Sequence, residues 1–164
     1  MLYRFSLHIA IPLVLCLGGC AHTSAGQLDE GNTFLGDLHP LARHWSTAAI
    51  NWMDTQWDEE AGMWGRGGSH STRSTMQYAL GLLMRNDPGD VPRACRAMDS
   101  VLALQFNAPE RAHHGTYRRN EHEPEPVRTS LSGRDYDPNW REFIGTIQIL
   151  ALEEHSGRLP ADLV

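Results

Sequence analysis

Cysteine is scarce in this chain, three in 164 residues, and the three are placed so that no internal disulfide can form. Cys16 and Cys20 fall within or just after an N-terminal apolar leader. Cys95 is left alone in the folded body, where a single cysteine on a helical pattern reads as a small core residue. Runs of basic residues are missing too, and the net charge is -6 at pH 7, so nucleic acid is excluded as a partner. No HExxH or CxxC spacing occurs, and the adjacent His113 and His114 would point apart in extended chain, so neither a metal nor another cofactor is expected. There is no GxSxG nucleophile elbow. Sustained alternation of apolar and polar residues is lacking as well, which leaves an all-α fold as the expectation. Gly65-Arg66-Gly67-Gly68 then follows no strand and is no dinucleotide fingerprint.

What is present begins with an export signal over residues 1–19: Arg4 near the start, an apolar stretch from Ile9 to Leu17, then Leu17-Gly18-Gly19-Cys20. That ending resembles a bacterial lipoprotein cleavage box, in which the cut falls before Cys20 and the Cys20 thiol carries the lipid. Residues 20–35 become a polar tether, and the product is held at the cell envelope through the lipid membrane. An ordinary secretory signal, giving a secreted or periplasmic protein, or an uncleaved anchor is the alternative. The apolar stretch is too short for a comfortable span. The remainder, residues 36–164, is enough for one core and not for two.

Four segments carry helical periodicity. Leu38, Leu41, Ala42, Trp45, Ala48, Ala49, Trp52 and Met53 form the first stripe, with Pro40 suited to the first turn. The second runs from about Ser71 to Asn86 on Met76, Ala79, Leu80 and Leu83. The third repeats the spacing with Val91, Ala94, Met98, Val101, Leu102 and Gln105. The fourth opens at Asp137-Pro138, continues on Trp140, Phe143, Ile144, Ile147, Leu150 and Ala151, and closes at Gly157. Only Asp87-Pro88-Gly89-Asp90 separates the second from the third, whereas the other two connections are long. In an antiparallel array of helical hairpins alternate connections lie at one end, so the two long ones should meet there.

Those connections hold the chemistry-bearing residues. The first, rich in glycine, offers Trp64 as a flat apolar face and Arg66, His70 and Arg73 as donors. The second, from about Phe106 to Tyr136, offers His113, His114, Tyr117, Arg118 and Tyr136. Its His113 to Arg119 part is expected to be ordered, and its acidic, proline-spaced part from Glu121 to Ser132 mobile and solvated.

The string GMWGRGGSHSTRSTMQYALGLLMRNDPGD, followed by RACRAMDSVLALQF and DYDPNWREFIGTIQILALEEH, resembles the N-terminal part of uncharacterised proteins of the α/α-toroid, or six-hairpin, superfamily. The resemblance covers most of Leu38 to Val164 and implies a ring of helical hairpins with loops round a central cleft. Such a ring needs more hairpins than the two offered here, so a truncated product with exposed apolar helix faces is expected. A complete two-hairpin domain that self-associates through those faces is the alternative.

The resemblance is shared by glycoside hydrolases, lyases and epimerases, so it leaves the chemistry open. A hydrolase would draw its two carboxyl groups from Asp58, Glu59, Glu60, Asp135, Asp137 and Glu142, although Asp137 reads rather as a helix cap and Glu142 rather as a first-turn acid. A lyase or epimerase would use His70, His113 and Tyr136 as proton carriers, with Trp64, Arg66, Arg73 and Arg118 holding a glycan or other small organic substrate. A non-catalytic, lipid-anchored module that binds a glycan or a partner would use the same residues. An inactive remnant would use none.

Overall fold

Helix α3 (Thr72–Arg85) is buried along most of its length, and the other elements are arranged around it. The structure is a computed structural model and describes residues 34–66, 68–127 and 135–163. The leader, Cys20 and most of the tether lie outside the described residues. Phe34 and Leu35, assigned above to the end of the tether, begin a short helix, α1 (Phe34–Asp37).

Local chemistry sets the ends of α3. The Ser71 hydroxyl accepts the Ser74 N–H, and Asn86, in the left-handed region at φ 58°, sends its N–H back to the Leu82 carbonyl. Met76, Tyr78, Ala79, Leu82 and Leu83 are all buried, so that the covered side of the helix is wide. Each large apolar side chain removed from water contributes about 1.5–3 kcal/mol. Two buried hydroxyls on α3 are fully used. Thr75 Oγ1 donates to the Ser71 carbonyl at 2.8 Å and accepts the Trp64 N–H at 3.0 Å, while Thr72 Oγ1 donates to the Arg118 carbonyl.

Helix α4 (Asp90–Leu102) returns antiparallel to α3 through the tight turn and buries Ala94, Cys95, Ala97, Met98 and Val101. Helix α5 (Asn139–His155) packs on α3 through Ile144 and Ala151. Asp137 caps it: the carboxylate accepts the Asn139 N–H at 3.0 Å and the carbonyl accepts the Trp140 N–H at 3.2 Å. A short 3-10 turn (Ser156–Arg158) follows, and its Arg158 guanidinium donates to the Leu83 carbonyl near the end of α3.

The all-α expectation, and with it the array of helical hairpins alone, is corrected by the residues between α2 (Pro40–Asp54) and α3. They form a three-stranded antiparallel sheet, β1 (Trp57–Asp58), β2 (Met63–Arg66) and β3 (Ser69–His70), in sequential order. Trp57 faces Trp64, and Gly65 faces His70. The fold is mixed α and β. Strands of two to four residues are too short to show a period of two, and Gly62 and Gly68 lie in the close turns between them. The Gly62 turn is one: its φ is +64°, and a Cβ there would meet Ser100 Oγ of α4 at 2.7 Å.

A second correction concerns α2. Most of its stripe does not face the core: Leu41, Trp45 and Trp52 are exposed, Leu38 and Met53 at its ends pack against the core, and Ile50, off the stripe, is the buried residue of the helix, seated against Gly81 of α3. Phe143 and Leu150 of the α5 stripe are also partly exposed. Periodicity identifies a face and not what covers it.

At the turn end, an ion-pair network joins three helices. Arg85 reaches Asp54 Oδ2 at 2.6 Å and the buried Asp90 Oδ1 at 2.7 Å, while Tyr78 and Arg93 also converge on Asp54. Burial pushes the Tyr78 hydroxyl up to about 12, aided by its hydrogen bond to Asp54. Removing the guanidinium would strand Asp90 without its counter-charge. Arg85→Ala is expected to cost about 3–5 kcal/mol in urea unfolding, whereas Arg93→Ala, whose partner Glu59 is exposed, should cost about 1 kcal/mol or less. Equal midpoints for wild type and Arg85→Ala would contradict this account of the turn end.

Candidate functional site

The site is built from the sheet outward. Gly65 and His70 are paired across β2 and β3, and the imidazole lies over the glycine: a Cβ on Gly65 would stand 2.5 Å from His70 Cδ2 and 2.8 Å from the Ser69 carbonyl. Only glycine leaves that space. The ring is thereby aimed at two carboxylates. His70 Nδ1 is 2.6 Å from Glu121 Oε1, and Nε2 is 3.2 Å from Asp58 Oδ2. Two ring nitrogens facing two acceptors suit an imidazolium, which donates from both.

Asp58 is held by its own turn. Its Oδ1 accepts the N–H groups of Glu60 and Ala61 at 2.9 and 3.0 Å, leaving Oδ2 for His70. Glu121 comes from the second long connection, which is stitched to the start of α3 by the Thr72 N–H on the Arg119 carbonyl at 3.1 Å. Within that connection Gln105 bridges Tyr117, and Arg119 holds the buried Glu123 carboxylate at 2.8 Å. The two long connections do meet, through His70 with Glu121 and Thr72 with Arg119.

Burial draws the His70 imidazole down, but the hydrogen bonds and charges of Glu121 and Asp58 outweigh it, so its pKa is raised above 6.5. The Ala61 N–H and then His70 hold the Asp58 carboxyl below its usual range. For Glu121, burial works upward, and its own backbone N–H together with His70 reverses it.

The other expected site residues are placed elsewhere or differently. Trp64 is half-buried on β2, its ring 5.6 Å from that of Trp52, and Arg66 is exposed at the end of β2. Arg73 stacks on Phe143 of α5, 4.4 Å above the ring. His113 is almost fully buried, edge-on between Phe106 at 5.2 Å and Tyr136 at 5.7 Å. Arg118 covers Phe106 at 4.6 Å. Every cation of the Lys and Arg class here is arginine, whose planar group suits such stacking. So Trp64, Arg66 and His70 share the sheet, while His113, Tyr136 and Arg118 form a buried aromatic cluster and Arg73 sits on the α3–α5 seam. Among the described residues neither His113 nitrogen nor the Tyr136 hydroxyl has a hydrogen-bond partner.

Glu121 is the partner that sequence reading missed, because it stood in a run read as solvated. The part of that run from Glu121 to Val127 is described; Arg128 to Ser132 lies outside the described residues. Asp58 was among the carboxylate candidates. Of the others, Glu59 pairs with Arg93 at 2.9 Å, and Asp137 serves as the cap.

Two shallow hollows, of about 380 and 310 Å³, run beside α2 and share Arg43, Thr47 and Asn51; no residue of the His70 group lines either. Among the described residues, no group of three or more His, Cys, Asp or Glu side chains is placed to hold a metal ion.

A family model described as a domain of unknown function, DUF8769, matches residues 43–164. The chain belongs to this family. The DUF8769 span takes in α2 from Arg43, the sheet, both long connections and α3 to α5, so the His70 bridge is internal to the domain. No curated protein and no solved structure matches the chain.

Folded-state His70 has a raised pKa, so its stabilisation is full below the ordinary value of 6.5 and is lost as pH climbs through the raised one. Glu121 has a lowered pKa, so its stabilisation is full above the ordinary 4.5 and is lost as pH falls through the lowered one. The stability gap between wild type and His70→Gln in urea should therefore be widest between pH 4.5 and 6.5 and shrink on both sides. Gly65→Ala should reproduce the gap by displacing the ring. A gap independent of pH would count against the bridge.

Proposed function

We propose that this chain is an exported, envelope-anchored module that binds a neutral, hydroxyl-rich ligand of the glycan class at the end where the two long connections meet, without transforming it. The lipid on Cys20 provides the anchor. The Asp58–His70–Glu121 bridge is the observation that carries the reading: it ties two distant segments into one preorganised polar surface, which lowers the ordering cost of binding. Asp58 and Glu121 surround a single imidazolium and accept hydrogen bonds from hydroxyl donors. Arg66 remains exposed at the rim and Trp64 offers part of its ring.

One observation favours binding over turnover, and two more favour a neutral ligand. Proton-transfer catalysis asks for separate acid and base groups open to one ligand, whereas His70 engages both carboxylates itself, and His113 and Tyr136 are buried away from it. Arg73 and Arg118, the expected anion holders, lie on Phe143 and Phe106. An anionic ligand would also meet the two carboxylates of the bridge.

The test is a screen of neutral oligosaccharides against the whole chain by calorimetric titration, with product analysis on the same mixtures. The expected result is binding that weakens about tenfold or more in His70→Ala, since hydrogen bonds to charged groups are worth about 1.5–3 kcal/mol. Failure to bind any of them overturns the ligand class. Release of product by wild type and not by His70→Ala replaces the module with an enzyme.

A further inference from the structure

We infer that Glu123 is a positioning residue for the His70 centre: its carboxylate closes a turn on Arg119, and that turn carries Glu121 to the imidazole. The inference rests on the Asp58–His70–Glu121 bridge and not on the ligand class proposed above.

Asp90 and Glu123 are the buried acids among the described residues. Asp90 serves the packing of helices, since Arg85 joins it to Asp54 of α2. Glu123 reaches nothing distant. Each of its hydrogen bonds and ion pairs goes to Arg118, Arg119 or Asn120 in its own connection. Oε1 takes Nε and Nη2 of Arg119, both at 2.8 Å, and Oε2 accepts the Arg119 backbone N–H. The Glu123 carbonyl accepts Arg118 Nη1, and its N–H donates to the Asn120 carbonyl at 3.2 Å. Burying a carboxylate is costly, and a fork of charge-assisted bonds offsets that cost in one geometry only. A buried charge engaged solely by its neighbours fixes the shape of its own loop.

That shape serves Glu121. Residues 119–123 form a closed turn with Glu121 at its middle, and Asn120 Oδ1 tightens it by accepting the His122 N–H at 2.9 Å. The base of the turn is fixed on α3, where Thr72 donates its N–H to the Arg119 carbonyl and its hydroxyl to the Arg118 carbonyl. Thr72 thus meets Arg119 while His70 meets Glu121, the crosswise order of two segments running antiparallel. With the base held, closure of the turn decides how far the Glu121 carboxylate extends toward His70 Nδ1, which it reaches at 2.6 Å. The other groups facing Glu121 cannot set that reach. His122, 3.4 Å from the same oxygen, is an exposed residue of the turn itself, and the Glu121 backbone N–H moves with its own side chain.

Glu123→Gln isolates this role. An amide there sets an NH2 group against either the guanidinium or the Arg119 N–H, donor against donor, and Arg119 is half exposed, so no buried charge is stranded. The experiment is an imidazole titration of the whole chain by NMR, with the His70 signal assigned by its loss in His70→Gln. Charge alone gives opposite signs: removing Glu123 lowers the His70 pKa and removing Arg119 raises it. Misplacement of Glu121 lowers it in both. The expected result is that Glu123→Gln and Arg119→Gln each show most of the fall seen in Glu121→Gln. Wild-type titration in Glu123→Gln, a rise in Arg119→Gln, or loss of the folded spectrum in Glu123→Gln overturns the inference, the last because the carboxylate would then carry the fold. A Glu121→Gln chain that titrates like wild type removes the bridge, and this inference with it.

Discussion

One imidazole has to satisfy two carboxylates that arrive from segments 12 and 51 positions away in the chain, and the arrangement of the loop end follows from that demand. His70 can reach both only because β3 holds it beside a glycine, and Asp58 is available only because its turn N–H groups occupy its other oxygen. Glu121 in turn requires that its connection be pinned to the start of α3 by Thr72. Loss of any one support frees the others. Two long loops, each with considerable entropy to lose, are thus ordered through a few charge-assisted hydrogen bonds.

The four long helices were legible in the sequence because a period near 3.6 repeats over three or more turns, and the caps at Ser71 and Asp137 are local chemistry; the four-residue α1 is too short to show it. The sheet was not. Its strands give too few residues for any period, and its signal, glycines among tryptophans, is the same signal that marks a binding loop. The meeting of the two long connections was inferred from hairpin geometry, yet the residue that joins them was assigned to solvent. A contact over 51 positions leaves no mark on its own neighbourhood, and Glu121 stands in the same acidic run as Glu125, which does face water. The basic residues failed for a related reason. Arg73 and Arg118 look like anion holders by type, but a guanidinium beside an aromatic ring has a second use, and the ring's position is a tertiary fact.

The outer side of α2 shows the same limit from the other direction. Its stripe is as regular as that of any core helix, and a reader of sequence alone places it inside. The folded chain covers α2 instead through Ile50 and a set of small and polar residues, so the richest apolar surface on the helix is left to meet something else. At the two ends of α3 the pairings then differ in kind. Arg85 binds helix termini together at the turn end through a strong base that stays charged, whereas His70 binds loops together through an imidazole whose pKa its carboxylate partners raise.

The claim that His70 and Glu121 act as one unit is tested most directly by a double-mutant cycle of His70→Gln and Glu121→Gln, read by urea unfolding at about pH 6 and again at a pH above the raised imidazole pKa. The account predicts a coupling energy of about 1 kcal/mol or more at the lower pH and little at the higher one. Strictly additive losses at both pH values would contradict it.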